Sequence, residues 1–261
     1  MSQYQENATI IRYEQLSEAN IRLTLQSDAI AGAARPGQFV MIKTATGKDP
    51  MLRRPFSIHQ TSSTGRLQIL FKIIGRGTNL LAHCRIGETL SLFGPLGHGF
   101  DIHTERPACI VGGGMGIAPM LFLAKRMSRL KKDTAGDTIL FGGRTQMEVE
   151  PLVRDFQQIG MRCITATDDG SYGREGFVTE IIQKLKLPQE TVIYACGPEA
   201  MLKQLHIYTQ VKKMECQVSV ESVMACGMGA CLGCNIPAHD GHYVHVCYEG
   251  PVFHAKELVW K

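Results

Sequence analysis

The chain has 261 residues, 44% of them hydrophobic and 20% charged, with 28 Lys and Arg against 24 Asp and Glu for a net charge of +4. That length is long for one core and comfortable for two domains. The mild charge excludes a nucleic-acid partner as the expectation, and the basic pairs Lys131-Lys132 and Lys212-Lys213 read as solvated helix faces. No apolar run approaches the ~20 residues of a membrane span, and the opening Met-Ser-Gln-Tyr-Gln-Glu has neither a basic nor an apolar leader segment. Of nine cysteines, Cys84, Cys109, Cys163, Cys196 and Cys216 are scattered through apolar stretches, the usage of a reducing compartment. The expectation is a cytoplasmic protein with no membrane partner.

Over residues 1–102, short alternating segments follow one another. Strands are predicted at 8–14, 21–26, 38–44, 56–60, 67–74 and 89–93, with turns at Ser27-Asp28, Pro36-Gly37, Thr46-Gly47, 62–65 and 86–88. One short helix is expected near 78–83. Six strands with little helix suggest a closed antiparallel barrel. Two pieces carry chemistry. Arg53-Arg54-Pro55-Phe56-Ser57 offers a guanidinium, an aromatic ring and a hydroxyl, which can bind a diphosphate and cover a flat ring; its bland alternative is an edge strand holding Pro55. Gly75-Arg76-Gly77-Thr78 leaves a strand and enters a helix, a phosphate seat or simply a capped turn.

The pattern changes over residues 103–220. A strand at 108–111 runs into Gly112-Gly113-Gly114-Met115-Gly116-Ile117-Ala118-Pro119 and then a helix over 120–131, the recipe for seating a pyrophosphate. Further strands are expected at 138–141, 162–166, 191–196 and 217–221, with helices over 177–186 and 199–211. Alternating strands and helices imply a parallel sheet whose ligands lie at the strands' carboxyl ends. Asp168 and Asp169 are either ribose acceptors favouring NADH or plain turn residues. Cys196-Gly197 ends the fourth strand of this unit.

Residues 221–261 hold Cys226, Cys231, Cys234 and Cys247, spaced C-x4-C-x2-C and then twelve residues to the last thiol. That opening matches the run holding a plant-type [2Fe–2S] cluster. Zinc is the alternative, although structural zinc sites usually present two short cysteine knuckles and only one pair here has that form. A short strand at 243–246 precedes Cys247, and a turn is expected at Gly250-Pro251-Val252-Phe253.

These residues together resemble the ferredoxin reductase superfamily, whose flavin barrel carries Arg-x-Tyr-Ser and whose nucleotide loop reads Gly-Gly-Gly-x-Gly-x-x-Pro. The resemblance implies that Arg54 binds the FAD phosphates, that Pro55, Phe56 and Ser57 lie at the flavin, with Phe56 in place of the usual Tyr, and that Leu70, Phe71 and Lys72 line it. It implies Gly77 and Thr78 at the FAD pyrophosphate. Gly112, Gly113, Gly114 and Gly116 would then hold NAD, with Cys196 and Gly197 beside the nicotinamide. Across nearly its full length the chain resembles the electron-transfer subunits of NAD-dependent dihydroorotate dehydrogenases. In that family FAD and [2Fe–2S] pass electrons from a separate FMN subunit to NAD+ in pyrimidine synthesis, in a heterotetramer of two plus two. Rival readings are a sister reductase subunit serving ferredoxin, polysulfide or glutamate synthase, and a zinc-stabilised nucleotide-binding module. The expected fold is therefore a six-stranded flavin-binding β barrel, an α/β Rossmann-like domain and a small cluster module. No acid–base catalytic residue is expected.

Overall fold

The computed structural model describes residues 2–45, 47 and 49–260. The turn expected at Thr46-Gly47 falls partly on Thr46, outside the described residues. Strands β1 (Tyr4–Gln15), β2 (Asn20–Gln26), β3 (Phe39–Lys43), β4 (Arg54–Thr61), β5 (Arg66–Lys72) and β6 (Thr89–Leu96) close into an antiparallel barrel of order β1-β2-β5-β4-β3-β6. Alternation explains the closure. Ile21, Leu23 and Leu25 of β2, Ile58 of β4, Leu67 and Ile69 of β5 and Leu92 of β6 are all fully buried, so one face of each strand fills the interior. The helix predicted near 78–83 is α2 (Arg76–Ala82). A second, α1 (Asp28–Ala33), replaces the turn expected at Ser27-Asp28, and Ile30 and Ala31 bury its inner side.

The second unit is a seven-stranded sheet built from β7 (Ala108–Gly113), β8 (Thr138–Gly143), β9 (Arg162–Thr167), β10 (Arg174–Glu175), β11 (Val192–Cys196), β12 (Cys216–Ser219) and β15 (Val252–His254). Their order is β10-β9-β8-β7-β11-β12-β15. Helices α3 (Met120–Leu130), α4 (Gln146–Gln157), α5 (Val178–Lys184) and α6 (Glu199–Lys212) connect the strands. The order reverses between β7 and β11, which puts the ligand crevice of such sheets at their carboxyl ends. Helix α4 has no counterpart in the predicted elements. It contains Pro151, which removes one helical N–H, yet Val149, Leu152, Val153 and Phe156 give it a buried stripe.

Two further expectations are corrected. Lys131 is not a solvated side chain. Its ammonium is 2% exposed, lies 2.6 Å from Asp137 Oδ1 and donates to the Arg106 carbonyl at 2.7 Å; a buried cation persists only when paired in this way. The turn expected at Gly250-Pro251-Val252-Phe253 is half strand. β15 pairs antiparallel with β12, Val218 facing Phe253, because Phe253 and Ala255 bury against the core beneath that edge. The remaining pair, β13 (Asn235–Pro237) and β14 (Tyr243–His245), forms a small antiparallel ladder between Cys234 and Cys247. Among the described residues no helix is long and apolar enough to cross a membrane.

Candidate functional site: two clefts and a four-thiol loop

A cleft of about 690 Å³ opens between the barrel and the carboxyl end of the sheet, within the ~300–1,000 Å³ typical of small-molecule sites. The barrel side is the stretch read from sequence. Arg54, Pro55, Phe56 and Ser57 of β4, Leu70, Phe71 and Lys72 of β5, and Gly77 and Thr78 of α2 all line it. The adjacent arginines, Arg53 just before β4 and Arg54 its first residue, divide their work. Arg53 turns away and donates to the Ser91 carbonyl at 2.6 Å and to Ser91 Oγ at 2.9 Å, which fixes β4 to β6. Arg54 faces the cleft, its side chain lying over Gly77, where a Cβ would come 3.2 Å from Arg54 Cγ. Thr78 Oγ1 accepts from the N–H groups of Ile74 and Gly75 and donates to the Gly75 carbonyl. That hydroxyl shapes the loop. Phe56 and Phe71 pack edge-to-face at 5.5 Å, a preferred aromatic geometry, and give the cleft a firm apolar wall. Lys72 lines the cleft as expected, and its ammonium also reaches Glu148 of α4 at 3.0 Å.

A second cleft, of about 610 Å³, lies at the β7/β11 reversal. Gly113, Gly114 and Gly116 line it with Gly197, Pro198 and Glu199. Space requires Gly113 and Gly116, whereas Gly114 meets nothing within 4 Å and is set by its φ of +53. A Cβ on Gly116 would sit 2.1 Å from the Cys196 carbonyl oxygen, and one on Gly113 would meet Met201 Sδ at 2.7 Å. Gly112 lies deeper, where its missing side chain admits the Phe141 ring, and it lines neither cleft. Cys196 is buried and lines the first cleft; burial pushes its thiol up to about 12, so it offers no nucleophile. Asp168 and Asp169 line neither cleft. Asp169 Oδ1 accepts from Ser171 N and Oγ at 3.0 and 2.6 Å, the turn alternative.

Sequence reading missed the segment joining these clefts. Ser219, Val220, Glu221, Ser222 and Met224 line the first cleft, and Val220 and Glu221 line the second as well, as does Met115. None has a distinctive motif; position directly after a buried strand at the carboxyl edge was the available signal. The far wall of the second cleft comes from Asn235–Pro237 and 258–260.

Cys226 follows Met224 by two residues, at most ~7 Å of chain. The cluster loop is compact because Gly227 (φ +76) and Gly229 (φ +81) take left-handed conformations. Its N–H groups turn inward: Met228 N and Cys231 N donate to Cys226 Sγ at 3.4 and 3.5 Å, Gly229 N to Cys247 Sγ at 3.1 Å, and Cys247 N to Cys234 Sγ at 3.4 Å. Burial pushes the Cys226 thiol up, but the Met228, Cys231 and Ala230 donors outweigh it and hold it down to about 6, on the thiolate side where metals bind. Cys226 lies beside Cys231, and Cys247 is near both Cys234 and Cys226. Four thiols on a glycine-tightened loop, three of them receiving backbone N–H donors, fit an iron–sulfur cluster.

A barrel with a ring-sized cleft, a doubly wound sheet and a four-thiol loop define an oxidoreductase of the flavin, nicotinamide and iron–sulfur type. Three domain families match in that order: an oxidoreductase FAD-binding domain over residues 7–100, an oxidoreductase NAD-binding domain over 110–206, and the iron–sulfur cluster binding domain of dihydroorotate dehydrogenase B over 221–259. The chain belongs to the family of dihydroorotate dehydrogenase B electron transfer subunits. It is 38% identical over 261 residues to one named "Dihydroorotate dehydrogenase B (NAD(+)), electron transfer subunit" from Geobacillus sp. (strain WCH70), covering 98% of each chain. The like-named protein of Enterococcus faecalis (strain ATCC 47077 / OG1RF) is 36% identical, with 99% of this chain and 100% of that one covered. Among solved structures, an NADH-dependent reduced ferredoxin-NADP oxidoreductase superposes with a TM-score of 0.87 at 28% identity, covering 97% of this chain and 90% of that one. A ferredoxin reductase of carbazole 1,9a-dioxygenase shares the fold, with a TM-score of 0.66 at 22% identity over 82% and 66% of the two chains.

Proposed function

We propose that this chain carries electrons between an FMN-containing catalytic subunit, which oxidises dihydroorotate, and NAD+, in a heterotetramer of two plus two. The observation that carries the reading is the segment 219–226. One stretch of backbone walls both clefts and delivers the first cluster thiol. When bound, the flavin supplies exchange between the hydride pair of a nicotinamide and the single electrons of an iron–sulfur cluster. The chain's own residues position these groups. Arg54 presents its guanidinium fork for the FAD diphosphate, while Phe56, Leu70 and Phe71 wall the ring. The close approach of Gly113, Gly116 and Gly197 leaves space for the nucleotide at the sheet's reversal point. Cys226, Cys231, Cys234 and Cys247 hold the cluster. Val223, Met228, Leu232, Tyr243 and Tyr248 are exposed large apolar side chains in this module, and such a surface suits a permanent subunit; we assign it to the catalytic partner.

Anaerobic protein loaded with FAD, iron and sulfide should lose its flavin absorbance on adding NADH. Mixed with the catalytic subunit and dihydroorotate, it should reduce NAD+. Protein that stays oxidised with NADH refutes the conduit. Reduction by NADH with no transfer from the catalytic subunit refutes only the partner, and would favour the second reading, a sister reductase subunit serving ferredoxin. That reading draws on the likeness to the NADH-dependent reduced ferredoxin-NADP oxidoreductase.

A further inference from the structure

A groove of about 1020 Å³ beside the barrel is walled by α1 and the turn after it, by residues of β1, β2, β4 and β5, and by α3, which packs on β4. Arg12, Arg35, Arg66, Lys125, Arg126 and Arg129 line it, and no Asp or Glu does so among the described residues. It shares no lining residue with either cleft described above. We propose that this groove is a binding site for a small anion bearing two or more phosphate groups, such as a nucleoside di- or triphosphate.

The charges in the groove are largely uncompensated. Arg12 has a carboxylate partner, Glu14 at 2.9 Å. Arg35, Arg66, Arg126 and Arg129 have none within ion-pair distance among the described residues. Lys125 donates to the neutral amide oxygen of Gln60. Burial pulls the Lys125 pKa down, and the Arg22 and Arg129 charges pull the same way against Asp155. An anion seated here would relieve that repulsion.

Guanidinium forks match phosphate oxygens two at a time, and a single phosphate would leave most of six cations unmatched. The cations line one concavity, with the barrel supplying Arg12 and Arg66 and α3 supplying Lys125, Arg126 and Arg129. That arrangement suits a compact ligand better than an extended chain, which a flat basic stripe would serve. Ile11, Ala33 and Phe122 add an apolar wall against which a base could lie. The occupant would touch both the barrel and the nucleotide unit, tying them together.

The test is calorimetric titration of the FAD- and cluster-loaded protein with inorganic tripolyphosphate at low salt. Saturable one-to-one binding is expected. It should weaken at least tenfold in an Arg126→Gln/Arg129→Gln variant and in a separate Arg66→Gln variant, with flavin absorbance and NADH-driven flavin reduction unchanged. ATP binding more tightly than tripolyphosphate would support a role for the apolar wall. No saturable heat up to millimolar tripolyphosphate, or equal affinity in both variants, overturns the site. Tighter binding of a dT20 oligonucleotide than of tripolyphosphate overturns the assignment to a small ligand.

Discussion

The molecule has two internal junctions, and they are built from different materials. The barrel meets the nucleotide unit through apolar packing, with Leu16 and Leu70 against that unit's core and Phe122 of α3 against the barrel's, and also through polar contacts. His59 Nδ1 lies 2.7 Å from the Ala118 carbonyl, Lys72 pairs with Glu148 at 3.0 Å, and Arg22 pairs with Asp155. The cluster module meets the rest through backbone and apolar packing. β15 completes the sheet against β12, Val220 N donates to the Pro251 carbonyl at 2.9 Å, and Cys234, Val246, Cys247 and Phe253 share one core with Phe39, Met41 and Leu96 of the barrel. Polar interfaces between domains resemble transient ones and permit relative motion, whereas buried ladders do not. The difference is that a backbone ladder ties the cluster module to the sheet, whereas ion pairs and a histidine hydrogen bond join the barrel to the sheet beside their apolar contacts, so the first junction is the more fixed of the two and salt and pH act on the second.

The largest effect should come from the fixed junction. Phe253→Ala removes a buried ring from beneath the β12 edge and is expected to cost ~3–5 kcal/mol, with loss of cluster absorbance before flavin absorbance on thermal melting. A cost below ~1 kcal/mol would show that β15 is merely apposed.

The polar junction should instead respond to pH. Burial lowers the His59 pKa to about 4, against the hydrogen bond to the Ala118 carbonyl, which partly restores it. A carbonyl only accepts, so the neutral ring carries its proton on Nδ1. The unfolded chain takes up this proton near its ordinary value of 6.5, and the folded one does so only near 4. Stability is therefore fully present above about pH 6.5 and lost as pH falls toward 4, by on the order of 3 kcal/mol. Urea unfolding at several pH values checks this, and His59→Gln should flatten the slope within that window.

Gly227→Ala tests the fixed junction again with a smaller perturbation. Gly227 has φ +76, and an added Cβ would meet Met41 Cγ at 2.5 Å. We expect ~1–3 kcal/mol of destabilisation, with faster loss of iron to a chelator. The smallest change should come from the Lys72–Glu148 pair, which is partly exposed. Glu148→Gln should cost ~0.2–1 kcal/mol at low salt and nothing measurable at high salt. A larger, salt-independent loss would mean that this junction is also fixed.

What was legible in the sequence follows the same division between local and distant causes. The six barrel strands, the glycine loop and the first three cluster thiols each announce themselves within a dozen residues, and the fourth thiol follows after twelve more, so period and spacing suffice. Helix α4 was obscured by Pro151, although Val149, Leu152, Val153 and Phe156 fall at helical spacing. Strand β15 follows Gly250-Pro251, a turn signal, and becomes a strand only because β12 offers an edge with a buried floor beneath Phe253. Lys131 was misjudged because its partner Asp137 lies six residues on, past the end of α3. The basic groove was invisible, since its cations come from positions 12, 35, 66, 125, 126 and 129 and form no run. Among the expected binding residues, Gly112 took a packing role because Phe141 closes over it.

The ribbon from Ser219 to Cys226 has a genetic consequence. Val220 and Glu221 border both clefts and stand only a few residues before Cys226, so a substitution at either bears on both clefts and the four-thiol loop at once, and its effects are pleiotropic. A change confined to the second cleft would more readily arise at Gly197–Glu199 or in the 258–260 wall, which line that cleft and not the first.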